Sequence, residues 1–172
     1  MSKPKASSKK RNLEARSVGI EALATDGNER AFRDFMSDIF AAAATMQNLR
    51  RMTAKPFGLS STELAVMMAV TNIKANPGIR GIADHLHVSA SNVTADVGKL
   101  VKAKYLTKVA DPADARALKV ALTAKGAALI QTMAPALRAV NDRIFANMSR
   151  ADMKVVTQLL RQIISEGKTL AD

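Results

Sequence analysis

At 172 residues the chain is long enough for one domain with a sizeable core, or for two small lobes sharing one. Its apolar content of 48% includes only six aromatic residues and no Trp, so Ala, Leu, Val, Ile and Met must fill the interior, which suits packed helices. The absence of cysteine excludes disulfides, thiolate metal sites and thiol redox sensing and fits a cytoplasmic protein, while a net charge of +11 points to an anionic partner, a merely soluble basic protein being the alternative on charge alone.

Residues 1–16 set Lys3, Lys5, Lys9, Lys10, Arg11 and Arg16 against Glu14 alone, a local charge of +5; the other 20 basic and 14 acidic residues leave the rest at +6. Residues 1–28 read as a basic, disordered arm. Nucleic acid is the common partner of a basic tail on a basic body. A lipid surface would also serve, but the tail has no amphipathic helix with bulky anchors, and no apolar run approaches the roughly 18 residues of a membrane span. No hydrophobic segment follows the basic N-terminus, as a secretory signal would require.

From Glu29 to about Ala54, Phe32, Phe35, Met36, Ile39, Phe40, Ala43, Met46 and Leu49 recur in steps of three and four. That spacing predicts a long amphipathic helix with a wide apolar face, ending before Pro56 and Gly58. Ser60-Ser61-Thr62-Glu63 has the form of a capping box and opens a second helix through Leu64, Met67, Met68 and Thr71, closed by Asn76-Pro77-Gly78. A short helix, Ile79–Leu86, turns Ile82, Ala83 and Leu86 inward, and Ser89 caps the next, which runs to about Ala103. Tyr105–Ala110 and Leu118–Leu122 read as strands joined by the polar turn Asp111-Pro112-Ala113-Asp114-Ala115. Two helices close the chain, at about 124–147 and 150–167. Pro135 predicts a kink or break in the first, and Ser149 with Asp152 caps the second.

The segment Ile82–Leu100 is thus helix, tight turn, helix. In its second helix Val93, Val97 and Leu100 fall together and face a core. The opposite face collects Ser91, Asn92, Ala95, Gly98, Lys99 and Lys102, with Thr94 at its edge and Asp96 nearer the core-side boundary. Short hydroxyl and amide groups followed by lysines suit a helix that meets base edges first and phosphates later. An ordinary solvated face poor in charge has the same composition. The hairpin that follows favours the first reading, because it has the form of a wing with Arg116 near its tip. Arginine there can enter the minor groove, pair with Asp111 or Asp114, or be braced by them while it does so. An enzyme is not expected: there is no glycine-rich phosphate loop, no cysteine nucleophile and no histidine paired with a Ser/Asp constellation. His85 and His87 alone do not make a metal cluster, so no metal or cofactor is expected.

Four ordered blocks carry a resemblance. Leu59-Ser60-Ser61-Thr62-Glu63-Leu64, Ile82-Ala83-Asp84-His85-Leu86-His87-Val88-Ser89-Ala90-Ser91-Asn92-Val93-Thr94, Asp111-Pro112-Ala113-Asp114-Ala115-Arg116-Ala117 and Leu122-Thr123-Ala124-Lys125-Gly126 stand in matching order and spacing. Over about residues 29–167 the chain resembles the multiple-antibiotic-resistance regulator (MarR) family of winged helix-turn-helix transcriptional regulators. The resemblance implies a mainly α fold, with a winged helix-turn-helix DNA-binding domain at 59–122. Residues 29–58 and 123–168 would form the helical dimerisation region. It also implies a sequence-specific cytoplasmic homodimer on a palindromic double-stranded DNA operator, acting as a repressor released by a small effector of the aromatic acid or acyl-CoA type.

Carried over by position, Ser89, Ser91, Asn92 and Thr94 begin the recognition helix and Arg116 sits at the wing tip; the reading of the residues themselves adds Lys99 and Lys102 as DNA contacts and Asp111 and Asp114 as wing support. An effector site would take Met36, Phe40, Arg50 (or Arg51) and Met67, residue types that equally serve as plain core. The chain departs from the family pattern at Ala95, where a basic residue is usual, and at Lys104, where glycine usually ends the helix and positive φ is therefore expected. Two other classes remain open on sequence: a non-sensing architectural DNA-binding protein held mainly by charge, and a protein-interaction module built on a winged helix.

Overall fold

The computed structural model describes residues 30–111 and 114–171, with residues 114–117 and 171 described through their backbone only. The basic arm at 1–28 and the wing-tip residues Pro112 and Ala113 lie outside the described residues. The order is α1 (Arg30–Ala54), a 3-10 turn (Lys55–Phe57), α2 (Ser61–Asn72), α3 (Ile79–Leu86), α4 (Ala90–Lys102), β1 (Leu106–Asp111), β2 (Asp114–Leu122), α5 (Ala124–Ile144) and α6 (Arg150–Ala171). The chain divides into two compact units, one up to Gln47 and one from Asn48 onward.

The second unit is built around α2. Ser60 caps this helix: the Glu63 amide donates to Ser60 Oγ at 3.1 Å, and the Ser60 amide donates to Glu63 Oε2 at 2.8 Å, so both halves of the expected box form. Leu64, Ala65, Val66, Met67, Ala69 and Val70 are all buried, more than one stripe, because α3, α4 and β2 each pack against the helix. Around it Ile82 and Ala83 of α3, Val93, Val97 and Leu100 of α4, Leu106 of β1, Val120 of β2 and Met133 of α5 complete one hydrophobic core, joined by Ala54 from the end of α1 and by Leu59. Interior aliphatic packing of this kind supplies roughly 1.5–3 kcal/mol per fully buried side chain.

The hairpin pairs Leu106 with Leu122 through Ala110 with Leu118, then jumps to Asp111 with Asp114. Its second strand therefore starts at Asp114 rather than at Leu118 as the sequence suggested, and the jump leaves residues 115–117 as an irregularity in the ladder. The Val120 amide donates to the Pro77 carbonyl at 2.8 Å, which fastens the α2–α3 connection to the same hairpin.

The last helices also correct the sequence reading. α5 runs unbroken through Pro135 and stops at Ile144, and α6 continues to Ala171. Pro135 removes the bond that would reach the Gln131 carbonyl, but both residues are exposed, so water can satisfy that carbonyl and no break is required. At the start of α6, Asp152 Oδ2 accepts from the Ser149 hydroxyl at 2.7 Å and from the Ser149 amide at 3.0 Å. Those two bonds, the hydroxyl one foremost, hold the Asp152 carboxyl below its ordinary value.

Lys104 has φ 63°, the left-handed conformation expected where glycine is usual, and its amide donates to the Val101 carbonyl. A side chain there strains the backbone, whereas glycine enters that region freely but loses more entropy on folding. Lys104→Gly is therefore expected to raise stability by about 0.5–1 kcal/mol, measurable as a rise of roughly 2 °C in the thermal midpoint. A fall would show that the lysine side chain makes a compensating contact.

Candidate nucleic-acid interface

α4 starts where Ser89 accepts the Asn92 amide on its hydroxyl at 3.3 Å; the turn before it contains His87 with φ 53°, capping α3 through its amide to the Ala83 carbonyl. Val93, Val97 and Leu100 anchor one face of α4 in the core. Every residue assigned by sequence to the opposite face is exposed, namely Ser91, Asn92, Thr94, Ala95, Gly98, Lys99 and Lys102, as is the capping Ser89. A Cβ added at Gly98 would meet nothing within 4 Å, so the middle of this face is a low ridge with open space above it.

The polar groups on the ridge differ in how far they are already engaged. Ser89 Oγ and Ser91 Oγ lie 3.0 Å apart, and the Thr94 hydroxyl donates to the Ala90 carbonyl at 2.8 Å, which leaves that oxygen available as an acceptor. Among the described residues the Asn92 carboxamide and the Lys102 ammonium have no hydrogen-bond or ion-pair partner. Lys99 is engaged: its ammonium lies 3.4 Å from Asp96 Oδ1 and 3.9 Å from Glu63 Oε1. Glu63, read from sequence only as a capping residue, was the part of this site that sequence missed. The i, i+3 spacing of Asp96 and Lys99 was a signal for that pair, but nothing local links Glu63 to α4.

On the wing, Asp111 Oδ1 pairs with the Lys119 ammonium at 3.1 Å across the hairpin. Arg116 lies on β2 within the ladder irregularity; its side chain and that of Asp114 lie outside the described residues. Of the residues expected to line an effector site, half-buried Met36 and exposed Phe40 belong to the first compact unit, whereas Met67 and the exposed Arg50 belong to the second. Met67 has no exposed surface, being enclosed in the core of the winged lobe. Among the described residues no group of three or more His, Asp or Glu is placed to hold a metal ion, and no helix is long and apolar enough to cross a membrane.

The joint after α4 is closely built. The Thr123 hydroxyl donates to the carbonyl of Lys104 at 2.7 Å, the Thr123 amide donates to that of Tyr105 at 3.1 Å, and Thr123 Oγ1 accepts the Gly126 amide at 3.0 Å. The Lys125 ammonium donates to the Ala103 carbonyl at 3.0 Å and stands 4.5 Å above the centre of the Tyr105 ring. The end of α4 and the start of α5 are thereby pinned to each other.

Residues 57–117, from the end of the 3-10 turn into the wing, match the family model described as MarR family. The chain is similar to the HTH-type transcriptional regulator MhqR of Bacillus subtilis (strain 168), 26% identical over 106 residues, covering 62% of this chain and 72% of that one. Among solved structures it resembles a MarR/EmrR family transcriptional regulator from Acinetobacter sp. ADP1, with a TM-score of 0.70 at 18% identity, covering 80% of this chain and 96% of that one. It also resembles CouR from Rhodococcus jostii RHA1 bound to p-coumaroyl-CoA, with a TM-score of 0.69 at 19% identity, covering 78% and 94%. At these identities the likeness is one of fold. The helix-turn-helix and the first part of the wing thus fall inside the segment that matches the MarR family model.

Proposed function

We propose that the protein is a sequence-specific transcriptional regulator that binds double-stranded DNA as a homodimer, with α4 in the major groove and the wing beside it. The observation that carries this reading is the exposed ridge of α4. Ser91, Asn92 and Thr94 stand at its N-terminal end, Ala95 and Gly98 keep its middle low, and Lys102 stands at its far end with no ion-pair partner among the described residues. Asn can pair bidentately with adenine, Ser and Thr are permissive, and a helix without bulk in its middle can sit deep in the groove.

Dimerisation is supported by α6. Met153, Val156, Leu160, Ile163 and Leu170 recur at coiled-coil spacing and are all exposed in the single chain. Two lobes related by a two-fold axis would read a palindrome with half-sites about 10 bp apart. The protein would act as a repressor released by a small effector. An aromatic acyl-CoA or aromatic acid is the class to try first, since a neighbour in fold is a structure with p-coumaroyl-CoA bound. A thermal-shift series with such compounds addresses this, and an effector must then weaken operator binding by its differential affinity for the two states.

The test of the DNA reading is binding to a duplex from the protein's own upstream region and to a random duplex of equal length, across a salt series. The upstream duplex should be preferred by on the order of 10³. A ratio near one with a steep salt slope would identify an architectural DNA-binding protein instead, and no binding at low salt an interaction module. In the same assay Arg116→Ala should weaken upstream-duplex binding by roughly 10–100-fold, with a much smaller loss on random DNA. Unchanged upstream affinity would remove the wing from the interface.

A further inference from the structure

The two lysines on the exposed face of α4 stand in different electrostatic settings. Lys102 has no partner among the described residues, whereas Lys99 stands between two carboxylates. Those carboxylates are largely enclosed: the Asp96 and Glu63 side chains are 12% and 15% exposed, against 64% for Lys99. Glu63 is fixed from its other side, because its Oε2 holds the Ser60 amide that starts α2. Together one ammonium and two carboxylates carry a net −1, so a phosphate approaching Lys99 also approaches two anions. Swinging Lys99 out to that phosphate would strip two enclosed carboxylates of their counter-charge, and an unpaired enclosed charge costs more than an exposed ion pair returns.

We propose that Lys99 is a positioning residue and not a phosphate ligand. Its ammonium ties α4 to the capped start of α2 and so sets the rotation at which Ser91, Asn92 and Thr94 meet the groove. Lys102 carries the phosphate contact on this face. The inference rests on the reading of α4 as the helix that enters DNA. It also distinguishes two residues of the same type, three positions apart, which composition alone treats alike.

Salt dependence separates the two roles. Binding of the full-length chain to the upstream duplex and to the random duplex is measured for the wild type, Lys102→Ala, Lys99→Ala, Lys99→Arg and Glu63→Gln. Lys102→Ala should reduce the slope of log affinity against log salt by about 1.8 on both duplexes, because each of the two subunits then neutralises one phosphate fewer. Lys99→Ala should leave the slope unchanged on both, while the upstream-to-random ratio falls about tenfold, the range of one well-placed base contact. Glu63→Gln keeps an oxygen for the Ser60 amide but removes the charge, and should give the same fall in ratio. Lys99→Arg, which can still reach both carboxylates, should restore it. A slope reduction in Lys99→Ala equal to that in Lys102→Ala would overturn the proposal, as would an unchanged ratio in Lys99→Ala and Glu63→Gln. A wild-type ratio near one would overturn the DNA reading beneath it, and the proposal with it.

Discussion

Gly126→Ala is expected to destabilise the protein by about 3 kcal/mol, which for a chain of this size lowers the thermal midpoint by roughly 6–12 °C. A Cβ at this position would collide with the Tyr105 carbonyl oxygen and sit 3.0 Å from its carbonyl carbon and 3.1 Å from Leu122 Cδ2. Two of those three atoms are backbone, so relief requires moving the α4–β1 connection and not merely a side-chain rotation. Alanine would ordinarily favour a helix over glycine by up to about 1 kcal/mol. Here that gain is outweighed, because Gly126 lies in the first turn of α5, where Thr123 both receives its amide and holds the carbonyls of Lys104 and Tyr105. Calorimetry or circular dichroism melting checks the result. An unchanged midpoint would mean that the joint between α4 and α5 opens without cost.

The second large effect concerns association. Leu160→Glu places a carboxylate in the middle of the α6 stripe, which is solvent-facing in the single chain. The lone chain should therefore fold normally, with unchanged helicity, while light scattering reports the mass of one chain instead of two. A charge buried against an apolar partner without a counter-ion strongly opposes association. Loss of the second half-site removes the gain from linked binding, so affinity for the upstream duplex should fall by on the order of 10²-fold or more. A variant that stays dimeric would move the interface away from this stripe.

Local chemistry was the part of the fold most legible in sequence. The Ser60–Glu63 box, the Ser89 cap and the Ser149–Asp152 pair each depend on residues no more than three apart, and each forms as read. Lys104 in a glycine-preferring position was legible for the same reason. What depends on distant parts of the chain was not. The start of β2 at Asp114 follows from pairing with Asp111 and not from the turn-like run of Asp and Pro. Continuity of α5 through Pro135 depends on the solvent exposure of Gln131, which a proline count does not include. In the candidate site, the exposed face of α4 was legible because helical periodicity fixes which side chains share a face. The tie between Lys99 and Glu63 was not, because it joins residues 36 positions apart, brought together only by the packing of α2 on α4.

The pinned joint behind α4 has a mechanical consequence. Ser91, Asn92 and Thr94 lie 10 to 13 residues before Lys104, so at 1.5 Å of rise per residue they ride about 15–20 Å from the fulcrum that Thr123 and Lys125 form with residues 103–105. A helix held rigid over that span is a lever. A tilt of about 10° at the fulcrum carries its far end roughly 3 Å, about the length of one hydrogen bond and enough to part a side chain from a base edge. Because α5 begins at the same fulcrum, a reorientation of that helix that also repacks Val93, Val97 and Leu100 against the core would arrive, enlarged, at the end of α4 where sequence would be read.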